Sequence, residues 1–143
     1  MFNPSRDQAR RFLVDAWRKR CNGLPATPLE VIAADIITSH GEYHALLQDG
    51  EQAVSRDWSP DDGQINPFLH LSLHLAIEEQ LSIDQPPGIR ALFKQLVARH
   101  GDRHAAAHVV LECLGATLWC ASRDSTPPDG AAYLECLRKA IQS

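Results

Sequence analysis

The sequence predicts an all-α fold, a single helical domain over residues 1–143 arranged as a bundle of about five to six helices with short Pro/Gly turns and one long loop. Three observations carry this reading. No segment alternates branched or aromatic residues with polar ones at period two, as a half-buried strand would. Asn3-Pro4, Thr27-Pro28 and Asn66-Pro67 each place a capping side chain before a proline at the first helical position, where the missing N–H would be unbonded in any case. Pro86-Pro87-Gly88 and Pro127-Pro128-Asp129-Gly130 punctuate the second half as tight turns between helices.

From these signals the helices are expected at about 5–21, 28–48, 67–83, 88–100, 102–123 and 130–142. Thr27 with Glu30 completes a capping box at the second start. Gly41 is a kink point in that helix. The polar stretch from Asp49 to Gln64, with Ser59-Pro60, Asp61, Asp62 and Gly63, reads as the long connection. Trp17, Trp119, Phe12, Phe68 and Phe93 are expected in the core, and Arg18-Lys19-Arg20 complements the dipole at the end of the first helix.

A net charge of -4 and a pI near 5.9 argue against a broad polyanion-binding surface, so nucleic acid is disfavoured as a partner. The opening Met1-Phe2-Asn3-Pro4-Ser5-Arg6 has no apolar leader, which predicts a cytoplasmic protein. Ala105–Ala121 is the most apolar stretch, but His108 and Glu112 interrupt it, and no membrane span is expected. Cys21, Cys113, Cys120 and Cys136 form no Cys-x-x-Cys pair and read as reduced, mostly buried thiols. Nothing names a partner, and a homo-oligomer is left open.

The histidines carry the chemistry. Seven are present, and four pairs stand at i, i+4: His40/His44, His70/His74, His100/His104 and His104/His108. Chance would supply about a third of one such pair. Spacing of four sets two imidazoles on one helix face, within reach of one ion. The row His70-x-x-x-His74-x-x-x-Glu78 is moreover repeated as His104-x-x-x-His108-x-x-x-Glu112. Between Ala105 and Cys120 the surroundings are so apolar that a buried helix is expected, and a buried Glu112 would then need a hydrogen bond, an ion pair or a metal.

Eight residues of helix rise by roughly 12 Å, so no single ion can use a whole row. A mononuclear site would take a histidine pair from each of two helices, whereas two ions roughly 3.5–4 Å apart could use all three levels. Imidazole with carboxylate suits zinc, iron, manganese or nickel rather than calcium. The expected ligands are His70, His74, Glu78, His104, His108 and Glu112, with Glu42 and His44 as a contribution from a third helix. His40 shares that third-helix candidacy, though Gly41 interrupts the pair. His100 stands beside Gly101 at a helix end, where histidines commonly interact with the last carbonyls, and is kept only as a further candidate ligand.

The segments Asn66-Pro67-Phe68-Leu69-His70, Gln85-Pro86-Pro87-Gly88-Ile89-Arg90, His104-x-x-x-His108 and Pro127-Pro128-Asp129-Gly130, with the opening Met1 to Arg6, resemble the bacterial domain-of-unknown-function family numbered 1841. His40-Gly41-Glu42-Tyr43-His44 is also similar to that family, whose usual form has proline where Gly41 stands. The resemblance spans nearly the whole chain and implies a fold and a kinship, with no reaction attached. Ferritin-like bundles are a comparison of architecture only, because Glu-x-x-His spacing is absent here. Three functions follow from the residues: a metal-dependent enzyme acting through activated water or oxygen, a non-catalytic protein for metal storage, delivery or sensing, and an interaction module with a buried His/Glu hydrogen-bond network.

Overall fold

The computed structural model describes residues 4–56, 58 and 66–143, and these are helical with no strand. The helices are α1 (Pro4–Cys21), α2 (Pro28–Thr38), a 3-10 turn (Gly41–Tyr43), α3 (His44–Gln48), α4 (Gly50–Ser55), α5 (Pro67–Ile83), α6 (Ile89–His100), α7 (Arg103–Asp124) and α8 (Gly130–Gln142). The all-α expectation holds, with more and shorter helices than expected. The chain divides into two compact units, Met1–Leu75 and Ala76–Ser143, the boundary falling within α5.

In the first unit, apolar residues at helical spacing build one core. Leu13, Ala16 and Trp17 of α1, Ala33 and Ile37 of α2, Leu47 of α3, Ala53 of α4, and Phe68 and Leu71 of α5 are all buried in it. Arg10 extends the α1 stripe by one turn and is itself buried. Its guanidinium donates to the carbonyls of Val54 at 3.0 Å and Arg56 at 2.7 Å, at the end of α4 where helical carbonyls lack partners. It also stacks over Trp58 and Phe68.

The capping box at α2 is formed, with Glu30 N donating to Thr27 Oγ1 at 3.2 Å and Thr27 N to Glu30 Oε1 at 2.9 Å. Asn66 caps α5 by accepting from the backbone N–H groups of Phe68 and Leu69. The expected cap at Asn3 and the loop acids Asp61 and Asp62 lie outside the described residues. Arg18-Lys19-Arg20 does more than complement a dipole: Lys19 Nζ meets Glu30 Oε2 at 2.7 Å and Arg20 meets Asp35 at 2.8 Å, tying α1 to α2.

That bond from Lys19, and next the bond from the Thr27 backbone, lower the Glu30 carboxyl from 4.5 to about 2. A depressed carboxyl contributes stability above its unfolded value and loses it as pH falls through the folded one. Wild-type stability is therefore expected to fall as pH drops from about 4.5 towards 2, and Glu30→Gln should flatten that part of a melting-temperature profile.

The second expected helix differs most from the structure. It stops at Thr38, where Thr38 Oγ1 and Ser39 Oγ bond back to the carbonyls of Ala34 and Ile36, both at 2.8 Å. Such side chains compete with the helix ladder. Gly41 then belongs to a 3-10 turn rather than to a kink, and α4 occupies the start of the expected long connection.

The second unit packs Ile77 and Leu81 of α5, Ile89, Phe93 and Leu96 of α6, Ala106, Ala107, Val110 and Leu114 of α7, and Tyr133 and Leu137 of α8 as buried residues. Asp102 and Asp129 cap α7 and α8 by accepting from Ala105 N and Ala132 N. Gly101, at φ 71°, closes α6 in the left-handed region that glycine enters without penalty. Two expectations fail here. α7 is not buried all round, since Glu112 is exposed and Trp119 is 62% exposed, so Trp119 is not a core residue and Glu112 needs no buried partner. α7 is also the one helix among the described residues long and apolar enough to cross a membrane, a property it shares with core helices of soluble proteins.

The reduced-thiol expectation also fails in part. Cys113 of α7 and Cys136 of α8 are joined by a disulfide with Cα atoms 5.8 Å apart, while Cys21 and Cys120 are free and exposed. The bridge closes a loop over a separation of 23 residues. Loop-closure entropy at that length makes its loss cost roughly 3 kcal/mol. Denaturant unfolding of Cys136→Ser, or of wild type under strong reductant, should show that loss.

Candidate metal centre

Because α2 ends early, His40 and His44 do not share a helix, and the i, i+4 argument does not apply to them. His40 lies just before the 3-10 turn and His44 opens α3. Both bond to carbonyls in the last turn of α2. His40 Nδ1 is 2.7 Å from the Ile36 carbonyl oxygen, and His44 Nε2 is 2.8 Å from that of Ile37. A carbonyl can only accept, so each of these nitrogens carries a proton. The consequences for the two side chains are opposite.

For His40, a proton on Nδ1 leaves Nε2 of the neutral ring as the lone-pair nitrogen. That nitrogen meets His70 Nε2 at 3.2 Å, and His70 Nε2 in turn meets His74 Nε2 at 3.2 Å. The ligand atoms of all three lie within 4.8 Å of one another. His70 and His74 come from one face of α5, as their spacing requires. His40 and His74 are buried, at 2% and 5% exposure, and His70 is half-buried. His44 turns its Nε2 away to Ile37 and packs its ring on Trp17, with centroids 4.4 Å apart.

Tyr43 completes the surroundings. Its ring is stacked on His40 at 5.8 Å and meets His70 edge-on at 5.9 Å. Burial, aided by the Glu42 carboxylate, raises the phenol above its usual 10 and keeps it an O–H. Glu42 itself is exposed on the 3-10 turn.

In the second unit, Glu78 is held by Arg103 through two bonds, Nη1 to Oε1 at 2.7 Å and Nη2 to Oε2 at 2.9 Å. Its carboxylate thus serves a fork-to-fork ion pair. His104 and His108 meet edge-on along α7 with ring centroids 4.4 Å apart, as a pair four apart can. His108 Nδ1 is 3.0 Å from the His104 carbonyl oxygen, so it too carries its proton on Nδ1. His100 stands at the end of α6, in the place expected of it.

The Nε2 separations bear on what the three converging imidazoles can do. Two nitrogens bound to one tetrahedral ion at about 2.0–2.1 Å from it are separated by roughly 3.3–3.4 Å. The observed 3.2 Å contacts are close to that edge. A hydrogen-bonded network fits less well, because His70 Nε2 faces two neighbouring nitrogens while holding one proton or one lone pair. The carbonyl bond on His40 is also the usual partner of a metal-bound histidine, fixing the tautomer and the ring orientation.

Fold and site together define an all-helical protein with a buried cluster of histidines. The chain matches the family described as Domain of unknown function (DUF1841) over residues 5–139, and it belongs to that family. No curated protein matches it. No solved structure matches it.

His40 is the residue that sequence spacing undervalued. The pair formed by His40 and His44 looks like a helical row, and only the stop signals at Thr38 and Ser39, with Gly41 beyond them, separate the two roles.

Proposed function

We propose that this protein binds one transition-metal ion on the Nε2 atoms of His40, His70 and His74. The observation that carries the reading is the convergence of three imidazole nitrogens, His70 Nε2 lying 3.2 Å from Nε2 of both His40 and His74, near a tetrahedral ligand edge, with the tautomer of His40 set by Ile36. Imidazole ligands suit zinc, copper, iron or nickel. When bound, such an ion would supply Lewis acidity to water or act as a redox centre.

The ion's task follows from its coordination. A shell with a position left to water supports an enzyme, and a shell closed by protein supports storage, delivery or sensing. The test is elemental analysis of untagged protein, followed by zinc titration of chelator-treated material by calorimetry. One ion per chain is expected, with rising thermal stability as zinc is added. A chain that takes up no metal and melts identically with zinc or chelator would show the histidines to be a structural network.

A further inference from the structure

We infer that Tyr43 is a positioning residue of the histidine centre: its ring sets the planes of His40 and His70 and strengthens their hold on the ion. This rests on the metal reading above and adds to it a residue that acts through the ligands.

The placement follows from the backbone. α2 ends at Thr38, and the chain then turns through the 3-10 segment Gly41–Tyr43, with Tyr43 N donating to the His40 carbonyl oxygen at 3.0 Å. In a 3-10 turn, side chains three apart lie over one another. Tyr43 is therefore the side chain laid on His40, while His44, four apart, packs on Trp17. The Tyr43 and His40 rings are parallel within 6°, with centroids 5.8 Å apart. The same phenol ring reaches α5 and meets His70 edge-on, at 5.9 Å and 70°. The three imidazoles are themselves 4.6–5.0 Å apart, centroid to centroid, so a ring that touches two of them constrains the group.

Two effects make this matter to the ion and not to folding alone. An imidazole offers its lone pair along one direction in the ring plane, so a tilted or flipped ring loses the common point. The Ile36 carbonyl fixes the tautomer of His40, and the phenol face fixes its plane. The edge contact limits rotation of His70. In addition, a metal-bound imidazole is electron-poor, and an aromatic face within about 6 Å attracts positive charge. The stack is then stronger with the ion in place than without it, and such a difference between states is what changes affinity. Aromatic contacts of this kind are worth up to roughly a factor of ten in an equilibrium constant.

Untagged full-length wild type, Tyr43→Phe and Tyr43→Leu are stripped with chelator and titrated with zinc by calorimetry. Each is also loaded with cobalt(II), whose visible d–d bands report ligand geometry. Circular dichroism and the metal-free melting temperature check the fold of every variant. Wild type is expected to bind one zinc per chain, and Tyr43→Leu to bind roughly tenfold more weakly, with altered cobalt bands. Tyr43→Phe keeps the ring and should restore both the affinity and the bands. Should Tyr43→Leu fail to fold, Tyr43→Met carries the same comparison. Wild-type affinity and wild-type bands in folded Tyr43→Leu would overturn the inference while leaving the metal reading intact. Equal weakening in Tyr43→Phe and Tyr43→Leu would overturn it too, by moving the role from the ring to the hydroxyl. Wild type that binds neither zinc nor cobalt would instead count against the metal site itself.

Discussion

Replacing His40 with alanine should lower zinc affinity by more than roughly 100-fold while leaving a folded helical protein. Loss of a partner that merely orients a metal-bound histidine costs 10–100-fold, and loss of a ligand should exceed that. His40→Ala removes a buried nitrogen 3.2 Å from His70 and also the bond to the Ile36 carbonyl. The second loss would weaken the end of α2 whether or not a metal binds, so stability alone does not settle the role. His44→Ala is the matched control. It removes an equivalent carbonyl bond, to Ile37, and the packing on Trp17, while leaving the three-histidine group intact. Calorimetric titration with zinc should therefore separate them: both variants are less stable, and only His40→Ala loses the ion. Equal affinities in wild type and His40→Ala would remove His40 from the ligand set.

The contrast between these two histidines shows what a sequence can and cannot display. Spacing of four places two side chains on one face only if a helix runs between them. At His70 and His74 it does, because Asn66 and Pro67 start α5 and nothing interrupts it before Ile83. At His40 and His44 it does not, because short hydroxyl side chains end α2 first. The capping box at Thr27 and Glu30 was readable for the same reason that the α5 start was: both are local, made within four residues of chain.

Features that depend on which helix face turns inward were not readable. α7 is apolar enough to suggest burial on every side, yet Leu118 and Trp119 are 40% and 62% exposed and Glu112 faces water. The matched rows led Glu78 to be expected as a ligand, but Arg103 lies 25 positions away in sequence and its reach to Glu78 has no local signature. The disulfide is of the same kind, since Cys113 and Cys136 meet only once α7 and α8 are packed in register.

Leu71→Ala should produce the largest loss of stability among single truncations near the site, roughly 3–5 kcal/mol. Leu71 is fully buried, on the turn of α5 that follows His70, in the core formed with Leu13, Trp17, Ile37 and Phe68. Truncation there loses the transfer free energy of the removed methyl groups and leaves a cavity that four other helices can only partly close. Denaturant unfolding should show the loss as a lower midpoint. The variant also distinguishes scaffold from site. Its histidines are intact, so zinc at 100 times its dissociation constant should restore roughly 2.7 kcal/mol, as linkage requires for an ion that binds only the folded chain. The same zinc should restore far less in His40→Ala. If Leu71→Ala gains nothing from zinc while its melted fraction is still small, the arrangement of His70 and His74 depends on the packing beneath them, and the centre is only as rigid as that core.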